Sequence, residues 1–304
     1  MTNRFDTVCG ASRLPFLVLS LVSVLLGIAV SSWSAGHVEP MQAALALIAA
    51  LAAHVAVNAL NEFFDFRSGL DLTTMRTPFS GGSGALPAAP QHAALVLAVG
   101  LVALVIAGLI GVHFVLRTGP ALLPLGVIGL LLAAAYTPWI TEHALLSLVA
   151  PGLGVGPVMV AGSVYALTGR YSAAAWIASA VPFFLGDALL LLNQFPDVDA
   201  DRRVGRRNLP IVLGPRASAL VHAGLVVCAY ACLGLALHDD LLPRGAALGF
   251  APALLAPPAC VGAWRHGAAP ARLAPYLALN AALCVLTPLL MSLGILWGGH
   301  APDA

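Results

Sequence analysis

Six of the thirteen acidic residues in this 304-residue chain fall into two tight groups. The first reads Asn58-Ala-Leu-Asn61-Glu62-Phe-Phe-Asp65-Phe-Arg67-Ser-Gly-Leu-Asp71. The second reads Asn193-Gln-Phe-Pro-Asp197-Val-Asp199-Ala-Asp201-Arg202-Arg203-Val-Gly-Arg206-Arg207. Asn61 and Asp65 stand four apart, as do Asn193 and Asp197, and Asp197 and Asp201. Residues at i and i+4 share one helical face, so each group presents an amide and carboxylates in a column. Carboxylates this close repel one another unless they are solvated, paired with Arg or bridged by a cation. All-oxygen ligands suit a hard ion such as Mg²⁺ rather than zinc, and Mg²⁺ completes its shell with water and substrate phosphate. Two such half-sites facing each other would cradle a metal-bridged diphosphate. One Asp near a helix end is usually just a solvated helix end; the repeated Asn-x-x-x-Asp column is what argues for a site.

The elements carrying these columns are membrane spans. Apolar residues make up 60% of the chain and charged ones only 9%, against roughly 25% charged in a soluble domain. Mean hydropathy is +0.94. That composition excludes a soluble enzyme and a disordered chain, and the continuous apolar runs exclude an outer-membrane barrel. Runs near 14–35, 40–60, 93–116, 120–137, 145–167, 173–195, 217–237, 245–264 and 275–297 give nine expected helices, an all-α polytopic bundle read as one domain over 1–304. The first run is too long for a signal peptide and reads as an anchor. In an up-down count the second and sixth helices end on the same face, so the two columns meet there. That face carries 11 Arg and the other carries Arg117, Arg170 and Arg244. The positive-inside rule places the 11-Arg face and the N-terminus in the cytoplasm, with the C-terminus outside.

Net charge is +1 and all 14 basic residues are Arg, which offers nothing to nucleic acid. The five cysteines form no C-x-x-C pair, and four lie in apolar runs, so neither a disulfide nor a zinc site is expected.

The two Asp-rich motifs, placed after the second and sixth of nine helices, resemble those of the UbiA superfamily of intramembrane prenyltransferases. Asp71, six residues beyond Asp65, is similar to the branch containing 1,4-dihydroxy-2-naphthoate prenyltransferase. Further matches are Arg13-Leu-Pro, Tyr136-Thr137, Gly156-Pro157, Arg76-Thr-Pro-Phe-Ser-Gly-Gly-Ser-Gly, and the stretch from Arg202 to Leu213-Gly214. Glu62 stands where many members have Asp, and Asp187 within the sixth helix is not among the residues that carry the resemblance. The resemblance implies Mg²⁺-dependent transfer of a prenyl chain from its diphosphate to a small aromatic quinone precursor, as in menaquinone synthesis, inside the cell's inner (plasma) membrane.

On that reading Asp65 and Asp197 are the first catalytic metal ligands, with Asn61, Asp71, Asn193 and Asp201 completing or supporting the two shells. Arg76, Arg202, Arg206 and Arg207 are candidate diphosphate clamps, because the Arg fork matches phosphate oxygens. Arg13 and Tyr136 are expected to reach the same head group. Asp187 is a candidate acceptor contact, since a carboxylate inside a span is costly and usually functional. Phe63, Phe64, Phe66 and Phe195 could shield a cation, although helix packing is the commoner role of such residues. Gly81-Gly82-Ser83-Gly84 lacks the Lys of a P-loop and reads as a lid. Other UbiA branches, making haem O, chlorophyll or lipid ethers, are the rival enzymes. An ion-coupled transporter is the rival from another class, although transporters bind ions near the bilayer midplane.

Overall fold

The computed structural model describes residues 3–74, 76–77 and 79–298. Among these, eight helices are long and apolar enough to cross a membrane: α1 (Leu14–Ala35), α2 (Pro40–Ser68), α3 (Pro90–Thr118), α5 (Ala144–Thr168), α6 (Ala173–Asn193), α7 (Leu209–His238), α8 (Arg244–His266) and α9 (Ala274–Trp297). Between α3 and α5 lies a shorter apolar helix, α4 (Pro120–Ala135). The nine runs are therefore present and no strand occurs among the described residues.

Two boundaries differ from the sequence reading, and both differences bear on the site. α2 continues well past residue 60, so that Asn58, Asn61, Glu62 and Asp65 all sit on helix. Hydropathy ends the run early because those side chains are polar, while the backbone hydrogen bonds carry on to Gly69. α7 begins at Leu209 rather than 217, with one non-helical residue at Gly214. Its start is set by Asn208, whose side chain accepts from the Ile211 N–H at 3.1 Å, and by Pro210 in the first turn. Four short helices flank the spans: Arg4–Ala11, Leu70–Thr73, Ala85–Ala88 and Val198–Arg203.

α6 is the most enclosed span and packs against α1, α5, α7 and α9. α3 is the least enclosed, and exposes Leu101, Val102, Val105, Leu109, Val112 and Leu116 where lipid chains would lie. α5 is interrupted by Pro151 and Pro157 and runs as a π-helix over Gly154–Ala161. A proline lacks the N–H and crowds the preceding turn, so a widened turn is a standard accommodation, often found at functional sites. Exposed Trp139 and Trp264 lie at one end of the spans and exposed Trp176 and Trp297 at the other, as the two membrane interfaces favour.

Helices in lipid associate through close packing rather than through apolar burial. The tightest case is α8 on α9, where a Cβ on Gly294 would overlap the Gly245 carbonyl and a Cβ on Gly245 would overlap that of Gly294. Gly294→Ala should force these backbones apart at roughly 1–3 kcal/mol, lowering the thermal unfolding midpoint in detergent. Gly111→Ala, whose Cβ would meet open space, should leave the midpoint unchanged or slightly raised.

Candidate active site

A cavity of about 300 Å³ opens at the ends of α2 and α6 and runs between α1, α2, α4, α5 and α6. Its mouth is polar and its inner limb apolar. The lining ends at Leu19 in α1, Ala53 in α2, Gly129 in α4, Met159 in α5 and Gly186 in α6. Beyond those depths the same helices close into packed core, with Leu26, Val30, Leu125, Val160, Val164, Val181 and Leu185 fully or nearly buried.

Asp65 lies in the last turns of α2. Gly69, at φ +79°, ends that helix, and the following turn Leu70–Thr73 returns Asp71 to the cavity. Pro196 follows α6, and Asp197 then begins the short helix Val198–Arg203, whose Asp201 N–H donates to the Asp197 carbonyl at 2.8 Å. Gly205, at φ +84°, turns the chain back so that the Arg206 N–H donates to the Asp201 carbonyl at 3.0 Å. The Arg206 side chain consequently enters the cavity. Its guanidinium pairs with the Asp65 carboxylate and, at 3.1 Å, with that of Asp201. Asn208 supplies the other Asp201 oxygen with a hydrogen bond at 2.8 Å. Across the mouth the Asn61 amide donates to Asp65 and to Thr137, both at 3.0 Å, and accepts from Arg13 at 3.1 Å.

Four carboxylates (Asp65, Asp71, Asp197, Asp201) and two guanidiniums (Arg13, Arg206) line the cavity, a formal balance of −2. Burial, then Glu62 and Asp65, pushes the Asp71 carboxyl up to about 7. Burial, then Asp201, pushes Asp197 up to about 7 as well. Burial also raises Asp201, against the opposing pull of Arg206. Three buried oxygens of the cavity lining have no hydrogen-bond partner among the described residues: Asp71 Oδ2, Asn193 Oδ1 and Asp197 Oδ1. Unpaired acceptors in a negatively charged pocket are what a hard cation would satisfy. Among the described residues no three acidic, imidazole or thiol groups converge closely enough to hold an ion alone. The donor set therefore fits Mg²⁺ drawing part of its shell from water or phosphate, and does not fit zinc.

The profile of the UbiA prenyltransferase family matches residues 20–280. The chain belongs to this family. It is 27% identical over 223 residues, 72% of each chain, to 1,4-dihydroxy-2-naphthoate octaprenyltransferase from Escherichia coli K12. Its identity to the Bacillus subtilis 168 protein of the same name is 26%, over 70% of this chain and 68% of that one. It is also 31% identical to a digeranylgeranylglyceryl phosphate synthase from Natronomonas pharaonis, over 64% of this chain and 65% of the relative. Two solved structures share the fold. One is a UbiA homolog from Aeropyrum pernix K1, with TM-score 0.69, 19% identity, and 93% and 98% of the two chains covered. The other is a UbiA homolog from Archaeoglobus fulgidus bound to GPP and Mg²⁺, with TM-score 0.60, 10% identity, and 96% and 99% covered.

Within this member of the UbiA family, Asn61, Asp65, Asp71, Asn193, Asp197, Asp201, Arg13, Tyr136 and Arg206 all line the cavity. Arg202, Arg207 and Arg76 do not. Arg202 is exposed and pairs with exposed Asp199 at 3.4 Å, because it lies on the outer side of the turn that directs Arg206 inward. Arg207 is exposed, and its backbone N–H is tied to the Thr141 carbonyl at 3.0 Å. Arg76 is exposed, its guanidinium reaching the Asp71 carbonyl at 3.4 Å. Asp187 also lies off the cavity wall; it accepts a hydrogen bond from the Gly152 N–H at 2.6 Å and ties α6 to α5. Phe63 and Phe195 are core residues, and Phe16 and Phe79 are the phenyl rings that line the cavity.

Glu62 is fully buried and turns away from the cavity, accepting from the Ser83 hydroxyl at 2.6 Å and the Ser83 N–H at 3.1 Å. It anchors one end of the segment 79–84, whose Gly81 amide reaches toward the Asp197 carboxylate while Gly82 lies against Asp71. One loop thus spans both half-sites. A Cβ at Gly82, where φ is +75°, would collide with the Asp71 carboxylate. Gly82→Ala should displace Asp71 and raise the Mg²⁺ concentration giving half-maximal prenyl transfer by about tenfold or more, about 1.4 kcal/mol. A Mg²⁺ titration against Gly111→Ala as reference checks it.

Proposed function

We propose that this prenyltransferase moves a prenyl group from a prenyl diphosphate to an aromatic acceptor, with Mg²⁺ held at the mouth of the cavity. The observation that carries this reading is the −2 mouth set on an apolar limb. A diphosphate of about −3 charge would be repelled by that mouth, whereas an isoprenoid chain would be welcomed by the limb. Asp65, Asp71, Asp197 and Asp201, with the amide oxygens of Asn61 and Asn193, supply the oxygen ligands. When bound, Mg²⁺ would neutralise the charge that develops on the leaving diphosphate. Arg206 and Arg13 bring guanidinium donors to the same oxygens; Arg206 is paired with Asp65 and Asp201 and Arg13 with Asn61 and Glu62, and a cation bound by the carboxylates would free these donors for the diphosphate. Phe16 and Phe79 offer aromatic faces to the allylic cation. The wall residues run from Arg13 to Asn208 and α9 packs on α1 and α6, which supports reading 1–304 as one catalytic domain.

The relatives from E. coli and B. subtilis are named for a dihydroxynaphthoate acceptor, and we assign the same acceptor class here, a step in menaquinone-type quinone biosynthesis. The location follows as the plasma membrane, with the cavity mouth and N-terminus in the cytoplasm.

Asp65→Ala and Asp197→Ala should each abolish transfer while leaving the helices folded. Losing one contact to developing charge costs on the order of 3 kcal/mol, roughly a hundredfold in rate. The double variant should lose little more than either single one, since the two residues serve one site. Single-turnover product formation across a Mg²⁺ series measures this with dihydroxynaphthoate and geranylgeranylglyceryl phosphate as alternative acceptors. Full activity in excess chelator would sink the metal reading, and product only from the glyceryl phosphate would move the acceptor to the lipid-ether class.

Orientation gives a separate expectation. A reporter active only in the cytoplasm, fused after Ala304 beyond the described residues, should stay silent, whereas the same reporter at the N-terminus should be active.

A further inference from the structure

One titratable side chain on the cavity wall has no part in the chemistry above. His54 lies on α2 seven residues before Asn61, about 10 Å deeper along the helix. Residues 54, 58, 61 and 65 share one face of α2, and all four line the cavity. Asn58 is committed to the Ser12 carbonyl at 2.9 Å, and Asn61 to Asp65, Thr137 and Arg13. His54 differs from them. Its Nδ1 and the Ser20 hydroxyl of α1 share a 2.7 Å hydrogen bond that fixes the ring plane. Its Nε2 has no protein partner among the described residues, and it is not sealed in the core as the Nδ1 of His222 is. His54 lines the cavity, and with Nδ1 engaged by Ser20, Nε2 is the ring nitrogen left for a ligand there.

The wall around that limb is apolar, with Leu19, Ala53, Val57 and Val158. A prenyl chain is pure hydrocarbon and has nothing to offer an imidazole nitrogen. Pressing hydrocarbon onto an unpaired polar atom leaves that atom desolvated without return. The polar partner of Nε2 therefore belongs to the other substrate. The geometry points to His54 as an acceptor-binding residue: Nε2 hydrogen-bonds an oxygen substituent of the aromatic ring and orients the ring edge toward the mouth, while Ser20 holds the imidazole in place. The depth of the imidazole below Asn61 suits a fused two-ring acceptor lying between them. This assignment rests on the prenyl-transfer reading of the cavity.

The test is steady-state kinetics of the full chain in nanodiscs, varying 1,4-dihydroxy-2-naphthoate and its two monohydroxy analogues at saturating prenyl diphosphate. His54→Phe keeps the ring and removes both nitrogens. It should raise the KM for the dihydroxy acceptor by about tenfold to a hundredfold and leave the KM for prenyl diphosphate within about twofold. His54→Gln, which can place an amide nitrogen near the lost Nε2, should recover most of the loss. One monohydroxy analogue should be used equally poorly by the wild type and by His54→Phe, which identifies the oxygen that Nε2 meets. Ser20→Ala keeps the imidazole but frees it, and should raise the same acceptor KM several-fold; it carries the test if His54→Phe does not fold. An unchanged acceptor KM in a folded variant would overturn the assignment, as would a change confined to prenyl-chain-length preference. A wild-type protein that prenylates none of the aromatic acceptors would overturn the functional reading itself, which keeps the two failures apart.

Discussion

Arg206 is the guanidinium that joins the two carboxylate columns. It holds Asp65 at the end of α2 and Asp201 beyond α6, and so fixes the separation of two half-sites that lie far apart in sequence. Its own position is set by a tight backbone turn at Gly205 and by the Asn208 bond to Asp201. Removing one member of a buried ion pair leaves the others uncompensated, typically at 3–5 kcal/mol. Arg206 is thus a strut as well as a candidate ligand for phosphate. Asp65 can release that fork to an incoming anion only if another cation takes its place. On the proposed function, the pairing that positions Arg206 is also what couples diphosphate binding to a cation.

The membrane explains why the polar groups gather at one end. Within the spans, backbone groups are satisfied along each helix and side chains pack on small residues. A polar side chain at depth then needs a partner, as Asp187 finds in the Gly152 N–H, His222 in Asn280 and His54 in Ser20. The carboxylates that remain partly unpaired, Asp71 and Asp197, lie at the mouth of the cavity rather than at depth. Gly81 and Gly82 present backbone to that mouth, so Gly82 approaches Asp71 more closely than a residue bearing a Cβ could.

The columns were legible in the sequence because helical spacing survives translation into structure: Asn61 with Asp65, and Asp197 with Asp201. The same rule, applied further, also separates the residues that face elsewhere. Glu62 is one step from Asn61, about 100° around the helix, and it points to Ser83 instead of the cavity. Asp187 is six steps from Asn193, about 240° around, and it meets α5. Depth alone suggested a substrate contact; rotation sets the carboxylate against the Gly152 N–H, off the cavity wall. The arginines were not separable in this way. Arg202, Arg206 and Arg207 differ in direction because of a loop turn, and the turn reads out only when Gly205 is seen at positive φ. A single histidine in an apolar run carries no spacing signal, and the direction of His54 follows only from its bond to Ser20 on α1.

The closed end of the cavity bears on what the bundle can do. An ion-coupled transporter needs a site reachable in turn from both sides of the membrane, near the midplane. Here the lining stops part-way along each of five helices, and past that depth those helices interlock through Leu26, Val30, Val160, Val164 and Leu185. The carboxylates lie at the mouth, not at the closed end, and an ion bound there has no route onward. An apolar limb with a charged rim suits a substrate that has a hydrocarbon end and an anionic head, and a second apolar recess shares Phe16, Leu19, Phe79 and Leu189 with that limb and continues to Ala281 and Val285 of α9. On the proposed function, the bond to be broken lies at the junction of head and tail, which is where the polar and apolar walls meet. Placing the reactive carbon there requires no binding energy beyond what already sorts the two ends of the molecule, which is how the division of the cavity becomes positioning for catalysis.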